Sequence, residues 1–156
     1  MIRRAKEKDI PDIGRLLFQV NNVHAKGRGD IFKKDKRKYR DDELKEIIKD
    51  DMRPIFVLTE DESGKLLGYA FCIFEIFEND NNLQDRKVLY IDDLCVDEKE
   101  RGKHIGQRLY EYVCSYAREE NCHSVTLNVW SCNPSAMRFY EAMGLKPYKV
   151  CMENIL

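Results

Sequence analysis

The sequence has no C-x-x-C pair, although it holds six cysteines. Cys72, Cys95, Cys114, Cys122, Cys132 and Cys151 have spacings that suit no zinc site, so no metal is expected. Most fall in stretches that read as strand or helix, where Cys acts as a small hydrophobe, and a reducing compartment would keep them as thiols. No apolar run approaches the ~20 residues that cross a bilayer, and the N-terminus lacks the apolar stretch of a signal peptide. No membrane partner is expected, and a cytoplasmic location is the default expectation. Neither charge sign dominates. There are 27 Lys and Arg against 28 Asp and Glu, a net −1, which argues against nucleic acid as a partner. The basic run at residues 33–40 (KKDKRKYR) reads as a solvated loop and helix start. There is no G-x-x-x-x-G-K-S/T string and no G-x-G-x-x-G string, which excludes the common nucleotide loops. No repeat, low-complexity tract or linker interrupts the 156 residues, so a single domain over 1–156 is expected.

What the chain does have is concentrated in residues 88–112, VLYIDDLCVDEKERGKHIGQRLYEY. An apolar strand pattern runs into a charged turn, and an amphipathic helix pattern follows at once. A helix N-terminus carries unpaired N–H groups and partial positive charge, so it suits a phosphate. Arg101 and Lys103 add full charge, and Gly102 and Gly106 let backbone approach a ligand closely. A second segment, residues 125–145, reads VTLNVWSCNPSAMRFYEAMGL. It begins as a β-rich strand over 125–130. Asn133 is a good N-cap and Pro134 fits the first helical position. Ala136, Phe139, Tyr140 and Met143 share one helix face, and Gly144 is placed to end the helix.

The first segment resembles the R/Q-x-x-G-x-G/A pyrophosphate loop of the GNAT superfamily of N-acetyltransferases. Arg101, Ile105 and Gly106 match it, and His104 stands where the family usually has its first glycine. Histidine enters positive φ more readily than most residues. The second segment resembles the family block N-x-x-A-x-x-F-Y-x-x-x-G-F/L through Asn133, Ala136, Phe139, Tyr140, Gly144 and Leu145. The resemblance covers essentially the whole chain and is strongest over 88–145. It implies an α/β (α+β) fold of GNAT type. Its central mixed sheet, mostly antiparallel, is flanked by helices in the order β-α-α-β-β-β-α-β-α-β. The pattern assigns a strand to 2–4 and a helix capped by Asp9 with Ile13, Leu16, Leu17, Val20 and Val23 on its apolar face. A charged loop is expected over 25–40 and a helix over 42–49. Strands are expected at 55–59 and 66–77, joined by a turn at 61–64, and again at 88–96 and 125–130. A last strand is expected at 146–152.

The implied activity is acetyl transfer from acetyl-CoA to an amine, with no metal. Such a reaction needs a held and polarised thioester, a deprotonated amine and a stabilised thiolate. Asp92 and Asp93 interrupt an apolar strand, and alternation would point them to opposite faces. Burial would raise the pKa of one of them unless it has a partner. The resemblance to polyamine acetyltransferases places Asp92 facing the acceptor amine. The plain alternative is a carboxylate that anchors backbone amides or an Arg. Tyr140 is the implied proton donor to the coenzyme thiolate, or else a core aromatic. The resemblance also implies that Leu94, Cys95 and Val96 offer backbone groups to the pantetheine arm where the strand splays from its neighbour. Arg101, Gly102, Lys103, His104, Ile105 and Gly106 would cradle the phosphates, with Asn133 and Tyr140 as further coenzyme contacts. Covalent catalysis is disfavoured because Cys95 lacks an adjacent base.

The first helices and their loop are implied to shape the acceptor side. They offer His24, Arg28 and Asp30, besides Asn21, Asn22, Phe32 and Tyr39. His24 also reads as a packed histidine, and Arg28 and Asp30 equally read as a loop ion pair. The acceptor is read as a small-molecule amine, with a protein lysine or N-terminal amine as the enzyme alternative. A non-catalytic acyl-CoA-binding regulatory domain is the other alternative. A homodimer is left open as a partner.

Overall fold

The computed structural model describes residues 1–156. The elements are β1 (Ile2–Arg4), α1 (Ile10–Gly27), α2 (Asp41–Lys49), β2 (Ile55–Thr59), β3 (Leu66–Phe77), β4 (Arg86–Val96), α3 (Ile105–Glu119), β5 (Ser124–Leu127) and α4 (Pro134–Ala142). The five strands form one sheet in the order β1-β2-β3-β4-β5. Every pairing is antiparallel except β4 with β5, which is parallel. This is the mixed, mostly antiparallel sheet that the sequence pattern implies.

Strand alternation divides the core into two faces. On one face Ile55, Val57, Tyr69, Phe71 and Cys95 meet Ile13, Leu16 and Leu17 of α1 and Leu44 and Ile47 of α2. On the other, Phe56, Ala70, Cys72, Leu89 and Ile91 meet Val113 and Ala117 of α3. Burying apolar side chains on both sides, at about 25 cal/mol per Å², is what holds the layers together. No helix is long and apolar enough to cross a membrane.

Several sequence expectations change. Residues 25–27 extend α1 and do not begin the loop, and Val23 is solvent-exposed. Asp9 occupies the N-cap position but gives no side-chain cap. Its carboxylate instead accepts from the Lys6 N–H and from both terminal nitrogens of Arg3. The predicted strand at 125–130 runs only from Ser124 to Leu127. The predicted last strand at 146–152 does not form. Alternation of Tyr148, Val150 and Met152 supplies the local preference, but all three are exposed and the segment makes no backbone hydrogen bond. A strand needs a neighbouring edge, and Pro147 removes one ladder donor.

The sheet carries one irregularity that decides the site. Phe71 pairs with Asp93 and Cys72 pairs with Ile91, so Asp92 is an extra residue in β4. Such a bulge re-aims side chains. Asp92 and Asp93 therefore both reach the α1–α2 face, where Tyr39 and Tyr69 receive them. The expectation that simple alternation would send them to opposite faces is corrected by this bulge.

Candidate active site

The turn between β4 and α3 has no acceptors for its own amides. None of the backbone N–H groups from Gly102 to Gln107 donates to a protein carbonyl or side chain. The first helical bond is Arg108 N–H to the His104 carbonyl. Gly102 lies at φ 79° and His104 at φ 56°, ψ 19°, the left-handed region that turns consecutive N–H groups toward one side. His104 adopts the conformation usually left to glycine. Arg101, Gly102, His104, Ile105 and Gly106 line a cleft of about 350 Å³ with Val96, Phe139 and Met143. Arg101 makes no ion pair, whereas Lys103 is held 2.6 Å from Glu100 and does not line the cleft. A Cβ at Gly106 would sit 3.3 Å from the Phe139 ring, so glycine there lets α4 close over the helix start.

From this cradle a free edge leads inward. The β4–β5 ladder ends at Ile91–Leu127, while β3 continues to pair with β4 as far as Val96. Beyond Ile91 the β5 side of β4 has no strand partner, and backbone groups there seek a ligand or water. Val96 lines the cradle and Leu94 lines a second cleft, so the edge joins the two. Cys95 points the opposite way. Its side chain is buried, with Sγ 3.8 Å from the Leu16 carbonyl, and burial pushes the thiol up to about 12. That thiol is not a nucleophile at neutral pH.

The second cleft has a volume of about 500 Å³. Both carboxylates, Asn133 and Tyr140 line it. Asn133 also caps α4, its Oδ1 accepting from the Ala136 N–H at 3.2 Å. Asp92 is held by two donors, Lys38 Nζ at 2.7 Å and the Tyr39 hydroxyl at 2.7 Å. Tyr39 stacks on Phe71 and accepts from Arg53 at 3.2 Å, which fixes its hydroxyl. Asp93 accepts from the Tyr69 hydroxyl at 2.7 Å. Part of Asp93 remains open to the cleft. Packing around the carboxyl group still raises it to about 6, against the opposing pull of Tyr69 and Lys38. Burial also lifts the Tyr140 hydroxyl well above its ordinary range, with Asp93 nearby reinforcing the effect. The Tyr140 hydroxyl makes no hydrogen bond, and its ring packs edge-on to Phe139 and Tyr110. It is a protonated donor facing the cleft.

The acceptor-side residues separate. His24 lines the cleft and packs on Phe32 at 4.9 Å, and Phe32 meets Trp130 edge-on at 5.0 Å. Burial, helped by the Lys38 charge, lowers the His24 pKa, so this ring is neutral near pH 7. Arg28 and Asp30 do not line the cleft. They pair with each other at 2.7 Å, and Arg28 also holds Glu153, which ties down the 146–156 segment. Two residues of the site were not singled out by the sequence. Tyr69 sits in an aromatic strand with no distinguishing signal. Lys38 is one of several lysines in a basic run.

Comparison with known proteins agrees with this fold. The profile of the Acetyltransferase (GNAT) family matches residues 20–145. An uncharacterised N-acetyltransferase of Methanocaldococcus jannaschii is 28% identical over 150 residues, covering 96% of this chain and 62% of the relative. The chain thus spans less than two thirds of that relative's length. Glucosamine 6-phosphate N-acetyltransferase of Arabidopsis thaliana is 26% identical over 102 residues, 64% of this chain and 63% of that protein. Among solved structures, a mutant of the BH1408 protein of Bacillus halodurans superposes with a TM-score of 0.95 at 31% identity, covering 100% of this chain and 99% of that one. The fold, the amide cradle and the family match lead to one statement: this chain belongs to the GNAT acetyltransferase family.

Proposed function

We propose that the protein transfers an acetyl group from acetyl-CoA to a primary amine by direct attack in a ternary complex. One observation carries the reading. Unpaired amides at the start of α3 lead along the free edge of β4 to two carboxylates and an unbonded tyrosine hydroxyl.

Each part has a task. The amides of Gly102 to Gln107, with Arg101, would hold the coenzyme phosphates. The edge at Leu94, Cys95 and Val96 would pair with the pantetheine arm, and an amide there would polarise the thioester carbonyl. Asp92 would attract the acceptor ammonium. Asp93, raised to about 6, is suited to accept its proton, directly or through a water. Tyr140 would return a proton to the departing thiolate. The favoured acceptor is a small amine, because the carboxylates line a cleft of about 500 Å³ and because relatives named for glucosamine 6-phosphate act on such a molecule.

Acetyl-CoA is expected to stabilise the fold, since the cradle exists only in the native state. At about 100 times Kd the gain is about 2.7 kcal/mol. For a domain of this size that is a melting shift of roughly 5–10 °C. Arg101→Ala should shrink the shift at a fixed ligand concentration. A melting curve unchanged by millimolar acetyl-CoA would remove the basis of this reading.

A further inference from the structure

We propose that Lys38 is an acetyl acceptor in the protein's own cleft, and that its acetylation frees Asp92 for amines from solution. The proposal rests on the catalytic reading above and adds a modification site to it. The Lys38 ammonium lies 2.7 Å from Asp92 Oδ1, the carboxylate to which that reading assigns the acceptor amine. It lines the same cleft as Asp93, Leu94, Asn133 and Tyr140. A primary amine on a flexible four-carbon stem thus already occupies the acceptor position. Neighbouring Tyr39, anchored by Phe71 and Arg53 and bonded to the other Asp92 oxygen, keeps this stretch of chain against the strand. Lys33, Lys34 and Lys36 belong to the same run but neither line the cleft nor pair with a carboxylate.

The step balances with groups already named. The Lys38 ammonium, held by Asp92, gives a proton to Asp93, directly or through a water, and from there to solvent. The Nζ lone pair attacks the thioester carbonyl, a C–N bond forms, the C–S bond breaks, and the second Nζ proton leaves to solvent. The thiolate takes a proton from Tyr140, which solvent replaces. The products are acetyl-lysine, free coenzyme A and one proton. Acetyl-lysine is neutral and cannot keep the ion pair, so Asp92 is left for an external ammonium. Because donor and acceptor are held in one cleft, the reaction gains from proximity and needs no second protein molecule.

The test is to incubate the full chain with acetyl-CoA and no added amine, then map acetylated peptides by mass spectrometry over time. Lys38 should be modified at least ~10-fold faster than Lys33, Lys34 or Lys36, reflecting its held position. Its rate constant should not change with protein concentration, and Tyr140→Phe should slow it. Lys38→Gln, which resembles the product, should lower the KM for an external amine relative to Lys38→Arg, which keeps the charge. Equal labelling of the four lysines, or a rate that rises with protein concentration, overturns the proposal. So does an unmodified Lys38 in protein that shows amine-dependent release of coenzyme A, and there the catalytic reading survives. Protein that is not stabilised by acetyl-CoA and releases none of it to amines fails both.

Discussion

Tyr140→Phe is expected to lower kcat by about 10²- to 10⁴-fold, the range typical of losing a positioned proton donor. Only the hydroxyl is removed. The ring keeps its edge contacts with Phe139 and Tyr110, so α4 should stay in place and the acetyl-CoA melting shift should be unchanged. The hydroxyl has no other partner in the protein and is kept protonated by its surroundings. A kcat and KM split decides the role: a transition-state contact lowers kcat and kcat/KM together. Wild-type turnover in the variant, with the chemical step rate-limiting, would make Tyr140 a packing residue.

Asp93→Asn should make the protein more stable and less active. The Asp93 carboxyl is raised from 3.8 to about 6 because its charged form is poorly tolerated in the fold. The group favours the native state below about pH 4, and that contribution is lost as pH rises to about 6. The span corresponds to about 3 kcal/mol at most, or a melting difference of roughly 5–10 °C above pH 7. Asn removes the charge and keeps an oxygen for the Tyr69 hydroxyl. The variant should melt above the wild type at pH 8, and the two should converge near pH 4. Turnover should fall, and the acidic limb of the wild-type pH–rate profile, expected near 6, should vanish. A variant that melts lower at pH 8 would show that the charged carboxylate is an anchor for Tyr69.

Asp92 and Asp93 illustrate where sequence reading stops. Two acids inside an apolar strand are visible as an anomaly, and both do line the cleft. Their common orientation is not visible, because the bulge depends on how β3 and β4 align over Phe71 and Cys72. Alternation along one strand cannot reveal a mismatch between two. The α3 cradle was legible because its determinants are local: glycines, a left-handed histidine and a helix start lie within a few residues of one another. The same holds for the α4 cap at Asn133. The 146–152 segment fails for the opposite reason. Its alternation is local, but a strand requires a partner edge that no short segment encodes. Lys38 could not be told from Lys33, Lys34 or Lys36 because its ion pair spans 54 positions of sequence. Arg28 and Asp30 read equally as an ion pair, and geometry places them in one.

The most direct test of the central claim is release of coenzyme A from acetyl-CoA by the full chain across a panel of primary amines. Wild-type protein, Tyr140→Phe and Arg101→Ala should be measured side by side. The account predicts that release beyond the single equivalent Lys38 can take up requires an amine and saturates with it. It should be almost lost in Tyr140→Phe and need more acetyl-CoA in Arg101→Ala. Repeated turnover that ignores the amine, or release that is equal in all three proteins, would contradict transfer in this cleft.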